Sequence, residues 1–135
     1  MATVSKIVSR SLRLLKVLDA NEVAEAEQAE QAIDALNAMC TRWEANGLSI
    51  GWANVSGPDD TMPSPDEAEE AIVFNLAVRI AGEYSPPSSF ASVSEGARLF
   101  LAELRRDRLA SAPLTLKTDL PARCGGYDMY TDTYN

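Results

Sequence analysis

The side chains that carry most enzyme chemistry are either absent from this chain or widely spaced in it. Its 135 residues include no histidine, which excludes Ser-His-Asp and Cys-His mechanisms and any histidine-ligated zinc site. The two cysteines, Cys40 and Cys124, do not have the spacing of metal ligands, and two distant thiols indicate a reducing compartment rather than a disulfide framework. We therefore expect no bound metal and no cofactor.

Paired carboxylates are the catalytic arrangement that the composition leaves open. Asp59-Asp60 and Glu69-Glu70 are adjacent acids, and two carboxyl groups about 5 to 9.5 Å apart are enough for glycoside hydrolysis. Turn chemistry explains the first pair, because Gly57-Pro58 precedes it. The second pair lies at a predicted helix start, where acids suit the helix dipole. We therefore expect no enzyme and no catalytic residues, and a carboxylate-based hydrolase remains the alternative.

The charge of the chain is strongly acidic and unevenly placed. A net charge of −8 disfavours a free nucleic-acid-binding protein, which needs a basic surface to displace counterions. Residues 1–18 contain basic side chains and no acidic ones, whereas residues 19–34 contain acidic side chains and no basic ones. These segments can pair within one helical hairpin or between neighbouring copies, and the sequence leaves both open. The basic residues are Lys6, Arg10, Arg13 and Lys16, and the acidic ones are Asp19, Glu22, Glu25, Glu27, Glu30 and Asp34.

The length and hydrophobicity fit one ordinary globular domain. Hydrophobic residues make up 46% of the chain and charged residues 24%, so disorder of the whole chain is not expected. No apolar run approaches the roughly 18 residues that a membrane span needs. The apolar residues near the N-terminus are periodic rather than continuous, which does not fit a signal peptide.

Apolar residues recur three or four positions apart in four stretches, which is the periodicity of amphipathic helices. The first helix is expected from about Thr3 to Leu18, with Thr3 or Ser5 as its N-cap. The second is expected from about Glu22 to Asn46, followed by Gly47 as the left-handed residue that ends it. Its apolar seam is either a subunit interface or the core of the chain, and we favour the core. The seam consists of Ala26, Ala29, Ile33, Leu36, Cys40 and Trp43.

The third and fourth helices follow a turn-rich segment. The third is expected from Pro65 to about Tyr84, and its small polar face predicts a central position. The fourth is expected from about Ser92 to Ala110. Its outer face is rich in arginine, which suits either a solvated surface or contact with DNA or an acidic partner. These arginines are Arg98, Arg105, Arg106 and Arg108.

Two segments outside the helices are candidates for contact with partners. Residues 48–62 combine β-branched alternation with a Gly57-Pro58 turn, which predicts an extended arm or a β-hairpin. An exposed tryptophan on such an arm favours an interface, so we expect Ile50, Trp52 and Val55 to contact a neighbouring copy of the chain or another protein. The tail after Pro113 has aromatic and glycine residues but few aliphatic ones, which is typical of a segment that orders on a partner.

Several stretches together resemble one protein family. The tail accessory factors of short-tailed phages, also called packaged-DNA stabilisation proteins, have a second helix similar to residues 33–43 and the Gly47-Leu48-Ser49-Ile50 that follows. Their central helix, shared with related head–tail connectors, is similar to residues 69–84, EEAIVFNLAVRIAGEY. Their C-terminal tails are similar to residues 119–127, DLPARCGGY, and to Tyr130-Thr131-Asp132. The resemblance covers nearly the whole chain.

The resemblance implies a mainly α structural protein of the virion, assembled in the host cytoplasm. It implies a bundle of about four helices in a body over residues 1–112, and an extended portal-docking tail over residues 113–135. Twelve copies would form a ring between the portal and a downstream tail protein, around a lumen through which packaged DNA can pass. It also implies that no membrane and no sequence-specific nucleic acid is bound. The tail residues expected to dock on the portal are Leu120, Tyr127, Met129, Tyr130 and Tyr134.

Two functions of other classes remain as alternatives. One is a virion-associated enzyme that degrades cell walls with two carboxylates, which a pocket containing such a pair would support. The other is a small helical regulator, which assembly into a ring would exclude. Short-tailed and long-tailed phages both use adaptors of this kind, and the sequence does not distinguish them.

Overall fold

Four α-helices form most of the part of the protein that the computed structural model describes. The structure describes residues 2–85 and 87–111 and, near the C-terminus, residues 127–128 and 133–134. The predicted division at residues 112–113 therefore lies outside the described residues. The helices are α1 (Val4–Leu14), α2 (Ala26–Ala45), α3 (Glu69–Ile80) and α4 (Phe90–Ser111). The prediction of a mainly helical protein with four helices is confirmed.

Helix α3 is the centre of the structure, as its sparse polar face predicted. It lies between two short 3-10 turns, Asp66–Ala68 and Ala81–Glu83, and α1, α2 and α4 all pack on it. The fully buried side chains include Ile72, Val73 and Leu76 of α3. Burying an aliphatic side chain of this size stabilises the fold by about 1.5–3 kcal/mol. The buried side chains of α3 therefore contribute much of the energy that holds the other three helices on it.

Two polar side chains, the buried Ser11 and the partly buried Asn75, connect α3 to its neighbours. The Ser11 hydroxyl of α1 lies 3.0 Å from the carbonyl oxygen of Ile7 and 3.1 Å from that of Val73. The Asn75 side-chain amide of α3 donates to the carbonyl oxygen of Ala97 in α4 at 3.0 Å. Because an unsatisfied polar group in the core is costly, these bonds favour one arrangement of the helices over others.

The ends of α1 and α2 differ from the predicted boundaries. Thr3 caps α1 as expected, since its hydroxyl oxygen accepts from the amide of Lys6. The helix ends at Leu14 instead of Leu18, because Lys16 takes a left-handed conformation with φ 59°. Helix α2 begins at Ala26 instead of Glu22, because Glu25 and Gln28 form a capping box there. Gly47, with φ 90°, follows α2 as predicted.

The segment over residues 48–62 does not form the β-hairpin that was one of its two predicted forms. No strand is assigned within these residues. Their backbone makes one isolated β-bridge, in which Thr61 pairs with Thr3. The segment, which we call the arm, instead lies against the helical body, where Leu48, Ile50 and Met62 are buried. Alternation of apolar residues predicted a strand, but the arm has the core rather than a second strand as its partner.

A short antiparallel strand pair is described near the C-terminus. β1 (Tyr127–Asp128) pairs with β2 (Thr133–Tyr134), so that Tyr127 is opposite Tyr134 and Asp128 is opposite Thr133. Within the described ranges, no helix combines the length and apolar character needed to cross a membrane.

Candidate functional site

The arm is held on α2 by two polar side chains that are seven residues apart. One oxygen of Glu44 accepts from the amides of Ile50 and Trp52, each at 2.9 Å. Asn37 makes a two-way contact with Val55: its amide group donates to the carbonyl oxygen at 2.8 Å, and its oxygen accepts from the amide at 3.0 Å. Four backbone groups of the arm, which would pair with a strand in a hairpin, are thus satisfied by α2.

The carboxylates of the arm region have structural roles. Backbone amides of the arm, that of Trp52 foremost, hold the pKa of Glu44 below its ordinary value. The pKa of Asp60 is likewise lowered, first by the Ser56 amide and then by the Gly57 amide, which donate at 2.8 and 3.1 Å. A general acid needs a raised pKa, and these two groups are shifted in the opposite direction.

The three arm residues predicted to contact a partner lie at or in the chain's own core. Ile50 is 3% exposed and Val55 is 8% exposed, so their side chains do not face solvent in this conformation. Trp52 is half-buried against the same core, and its indole nitrogen has no hydrogen-bond partner in the described part of the chain. The signal that sequence reasoning missed was the pair of polar residues on α2 that anchors the arm.

The arginines predicted to form one cluster on α4 are separated by their ion pairs. Arg98 pairs with Glu95 of the same helix at 2.6 Å. Arg108 lies 3.4 Å from a carboxylate oxygen of Glu67 and so connects α4 to the turn before α3. Arg105 and Arg106 are exposed, as is Arg98. Arg105 and Arg106 make no ion pair in the described residues, which leaves their charge available to a partner.

A groove with a basic lining lies between α1 and the start of α4, above α3. It encloses about 520 Å³ and is called here the basic groove. Arg10, Arg13 and Lys16 line it, with no acidic residue among the lining side chains. Its remaining lining combines apolar residues with two serines at the start of α4: Leu14, Val73, Phe74, Ser89, Ser92 and Val93.

The acidic side chains at the start of α2 face solvent. Glu27, Glu30 and Asp34, called here the acidic face, are all exposed. A second groove of about 390 Å³ runs between this part of α2 and residues 55–58 of the arm. The ion pairs of α1 in the described residues are made with Glu69 instead, at 2.9 Å from Arg10. The acidic face is therefore not neutralised by α1 of the same chain.

Comparison with known protein families shows which family the chain belongs to. The family model of the P22 tail accessory factor matches residues 1–134. The chain belongs to that family. A comparison with curated proteins finds no match. As a member of the P22 tail accessory factor family, the chain is a structural, tail-associated protein of a phage virion.

The portal-docking residues expected for a tail accessory factor are mostly outside the described residues. Leu120, Met129 and Tyr130 are among the residues that the structure does not describe. Tyr127 and Tyr134 are placed only through the backbone pairing of β1 and β2. The docking role of the tail therefore stays a prediction.

Two observations on this tail accessory factor concern metal ligands and the Cys40 thiol. Within the described ranges, no three histidine, cysteine or acidic side chains come together as possible metal ligands. Cys40 is buried in α2, and burial raises the pKa of its thiol to about 12. A thiol with this pKa is protonated at neutral pH, so Cys40 acts as a small apolar core residue.

Proposed function

We propose that this tail accessory factor is the head-to-tail adaptor of its phage. In this proposal, twelve copies form a ring between the portal and the next tail protein and help to retain the packaged DNA. The observation that carries it is the match of the P22 tail accessory factor model over residues 1–134. The helical body and the short C-terminal strand pair described above are compatible with that role.

The described structure supports a mechanical role rather than a chemical one. The large apolar side chains of α1 and α2 are used inside the chain, as the burial of Leu12, Leu36 and Trp43 shows. The α2 seam is less covered at its start, where Ala26 is exposed. A subunit that has already buried its apolar faces joins its neighbours through polar surfaces, which contribute little affinity in water. With a net charge of −8, free copies also repel one another. We therefore infer that the ring assembles on the portal.

The C-terminal tail would supply the affinity for the portal. Its candidate anchors, Leu120, Tyr127, Met129, Tyr130 and Tyr134, include three aromatic side chains, a type that often carries the binding energy of an interface. The backbone pairing of β1 with β2 places Tyr127 opposite Tyr134. Several weak tails on one ring bind far more tightly than one, because each bound tail raises the local concentration of the others.

The exposed arginines of α4 would face an acidic surface. Arg105 and Arg106 are exposed and make no ion pair in the described residues, and the proposal places them towards the lumen, where DNA passes, or towards acidic residues of a partner. Contacts of this kind would be independent of base sequence, because arginine on a phosphate backbone does not read bases.

Electron microscopy of the purified protein, alone and mixed with the portal ring of the same phage, tests the proposal. We expect monomers in the first sample and a ring of added density on one face of the portal in the second. A stable dimer that forms without the portal, as the only oligomer, would overturn the adaptor proposal and favour the helical regulator.

A further inference from the structure

We propose that the basic groove of one copy binds the acidic face of α2 from a second copy of this chain. This inference rests on the proposed ring, and it names the two surfaces through which neighbouring subunits meet. The basic groove lies between α1 and α4, whereas the acidic face is on α2, which packs on α3 and α1. The two surfaces are therefore different parts of one molecule.

The basic groove has cationic donors that the chain itself does not use. Arg13 makes a single long contact, 3.5 Å from its Nη2 to the carbonyl oxygen of Glu22, and its buried Nε has no acceptor in the described residues. Lys16 is exposed and makes no ion pair within the described part of the chain. Arg10, by contrast, is paired with Glu69. The unpaired positive charge of the groove thus resides at Arg13 and Lys16.

The start of α4 adds to the attraction for an anion. Ser89 and Ser92 line the groove, and the carbonyl oxygen of Ser89 accepts the first backbone bonds of the helix from Ser92 and Val93. The amides at the beginning of a 22-residue helix give this end a partial positive charge. Phe74 and Val93 provide an apolar floor, so the groove suits a segment that carries carboxylates beside small apolar groups.

The acidic face of α2 has that composition. Glu27, Glu30 and Asp34 are three and four positions apart, which places them along one side of the helix over about 10 Å. None of them forms an ion pair in the described residues. Ala26 and Ala29 border them, and such small side chains let another molecule approach the helix closely. Arg10, Arg13 and Lys16 extend over a similar length of chain.

Contact between two different surfaces has a consequence for assembly. An interface between the basic groove of one copy and the acidic face of another is heterologous. Each of the two copies then has one of these surfaces free to bind a further copy. Repetition of this contact closes into a ring when the rotation per subunit is suitable. The contact is also largely electrostatic, so we expect it to be weak in solution and to fall with ionic strength.

Charge reversal on each side separately, followed by mixing, tests the inference. Arg13→Glu with Lys16→Glu makes the groove acidic, and Glu30→Lys with Asp34→Lys makes the α2 face basic. Sedimentation equilibrium at high protein concentration and low ionic strength measures self-association. We expect wild-type protein to associate, each double variant to associate at least about tenfold more weakly, and an equimolar mixture of the two variants to regain association. About 1 M salt, where screening acts within about 3 Å, should abolish it.

Net charge alone does not explain recovery in the mixture. Each reversal at a site changes the charge by two, so from −8 the groove variant reaches −12 and the α2 variant reaches −4, and both stay negative. Arg42→Glu with Arg79→Glu also reaches −12 and is the matched control, because these exposed residues lie outside the basic groove. We expect this control to associate like wild-type protein.

The same samples distinguish the other possible occupants. If wild-type protein does not associate, or if the mixture associates no better than either variant alone, the inference is wrong. A short DNA duplex that binds wild-type protein but not the groove variant would assign the groove to nucleic acid instead, and would also overturn it. Ring formation by the two variants on the portal is scored separately by electron microscopy. A ring that forms with normal strength from the groove variant contradicts the interface but leaves the adaptor function intact.

Discussion

Single side chains of α2 determine where the arm lies. Glu44 and Asn37 together accept or donate four backbone hydrogen bonds of residues 50–55. Gly51 lies between the two amides that reach Glu44, and its φ of 73° is a left-handed conformation that favours glycine. Charge therefore contributes to the arm's position, and stability should depend on the ionisation of Glu44.

Glu44→Gln should weaken the fold at neutral pH. The pKa of Glu44 is lower in the folded protein than its ordinary value of 4.5. Its contribution is therefore complete above that value and is lost as the pH falls through the folded pKa. We expect the variant to lose about 1 kcal/mol of unfolding free energy at pH 7, and the difference from wild-type protein to shrink in acid. Urea denaturation over a range of pH measures this.

The control for this prediction is Glu103→Gln. Glu103 is exposed in the interior of α4 and makes no hydrogen bond or ion pair in the described residues, so its variant should be about as stable as wild-type protein. A loss in Glu44→Gln that is the same at all pH values would show that shape rather than charge holds the arm.

Trp43 was predicted to lie in the core, and the structure confirms it at 7% exposure. Trp43→Ala should cost about 3–5 kcal/mol, because it removes a large side chain and leaves a cavity. Thermal melting of the free protein measures the loss. Leu99→Ala, at a residue that is 48% exposed, is a suitable control and should change the melting temperature little. An unchanged melt of Trp43→Ala would contradict its place in the core.

At the scale of elements, the helices were predictable and the arm's partner was not. The three-to-four spacing of apolar residues predicted four helices because each helix must bury one stripe. The early end of α1 depends on the conformation of Lys16, which no local pattern signalled. The hairpin prediction failed because period-two alternation is the same for a strand paired with a strand and for a chain lying on a helix. The hydrogen bonds from Asn37 and Glu44 join α2 to the arm, so they could not be predicted before the position of the arm was known.

The contact of α3 with α4 depends on a small residue. A methyl group added at Gly96 would lie 2.9 Å from the Phe74 ring, which packs edge-on against Phe100 with centroids 4.9 Å apart. Alanine gains up to about 1 kcal/mol of helix propensity, whereas overpacking costs about 1–3 kcal/mol. We therefore expect Gly96→Ala to lower the unfolding free energy by about 1 kcal/mol in urea.

Gly82→Ala provides the comparison, because an added methyl group there meets no atom within 4 Å. This variant should be at least as stable as wild-type protein. If Gly96→Ala were the more stable of the two, the Phe74 ring would have room to move and the close contact between α3 and α4 would not limit packing.

For the whole molecule, the family match indicates the biological role, and the structure explains the stability of the helical body. The match to the P22 tail accessory factor family covers both the helical body and the tail, and the structure explains how the body is stable as a single chain.

The basic groove was only partly predictable. Sequence showed opposite charge on neighbouring segments, but it could not show that Arg10 pairs with Glu69 while Arg13 and Lys16 remain available. Whether a basic side chain is paired with an acidic one depends on the distance between them in the folded protein.

In the proposed adaptor, the C-terminal tail attaches each subunit to the portal. Co-sedimentation with portal rings of the same phage tests this attachment. Wild-type protein should sediment with the rings, and protein lacking Leu116–Asn135 should stay in the supernatant with unchanged helix content by circular dichroism. Tyr127→Ala with Tyr130→Ala should reproduce most of the loss, since enclosed aromatic anchors contribute about 2 kcal/mol or more each. Val23→Ala, at an exposed residue outside the tail, should bind normally. Normal binding by the truncated protein would contradict the account and assign docking to the helical body or the arm.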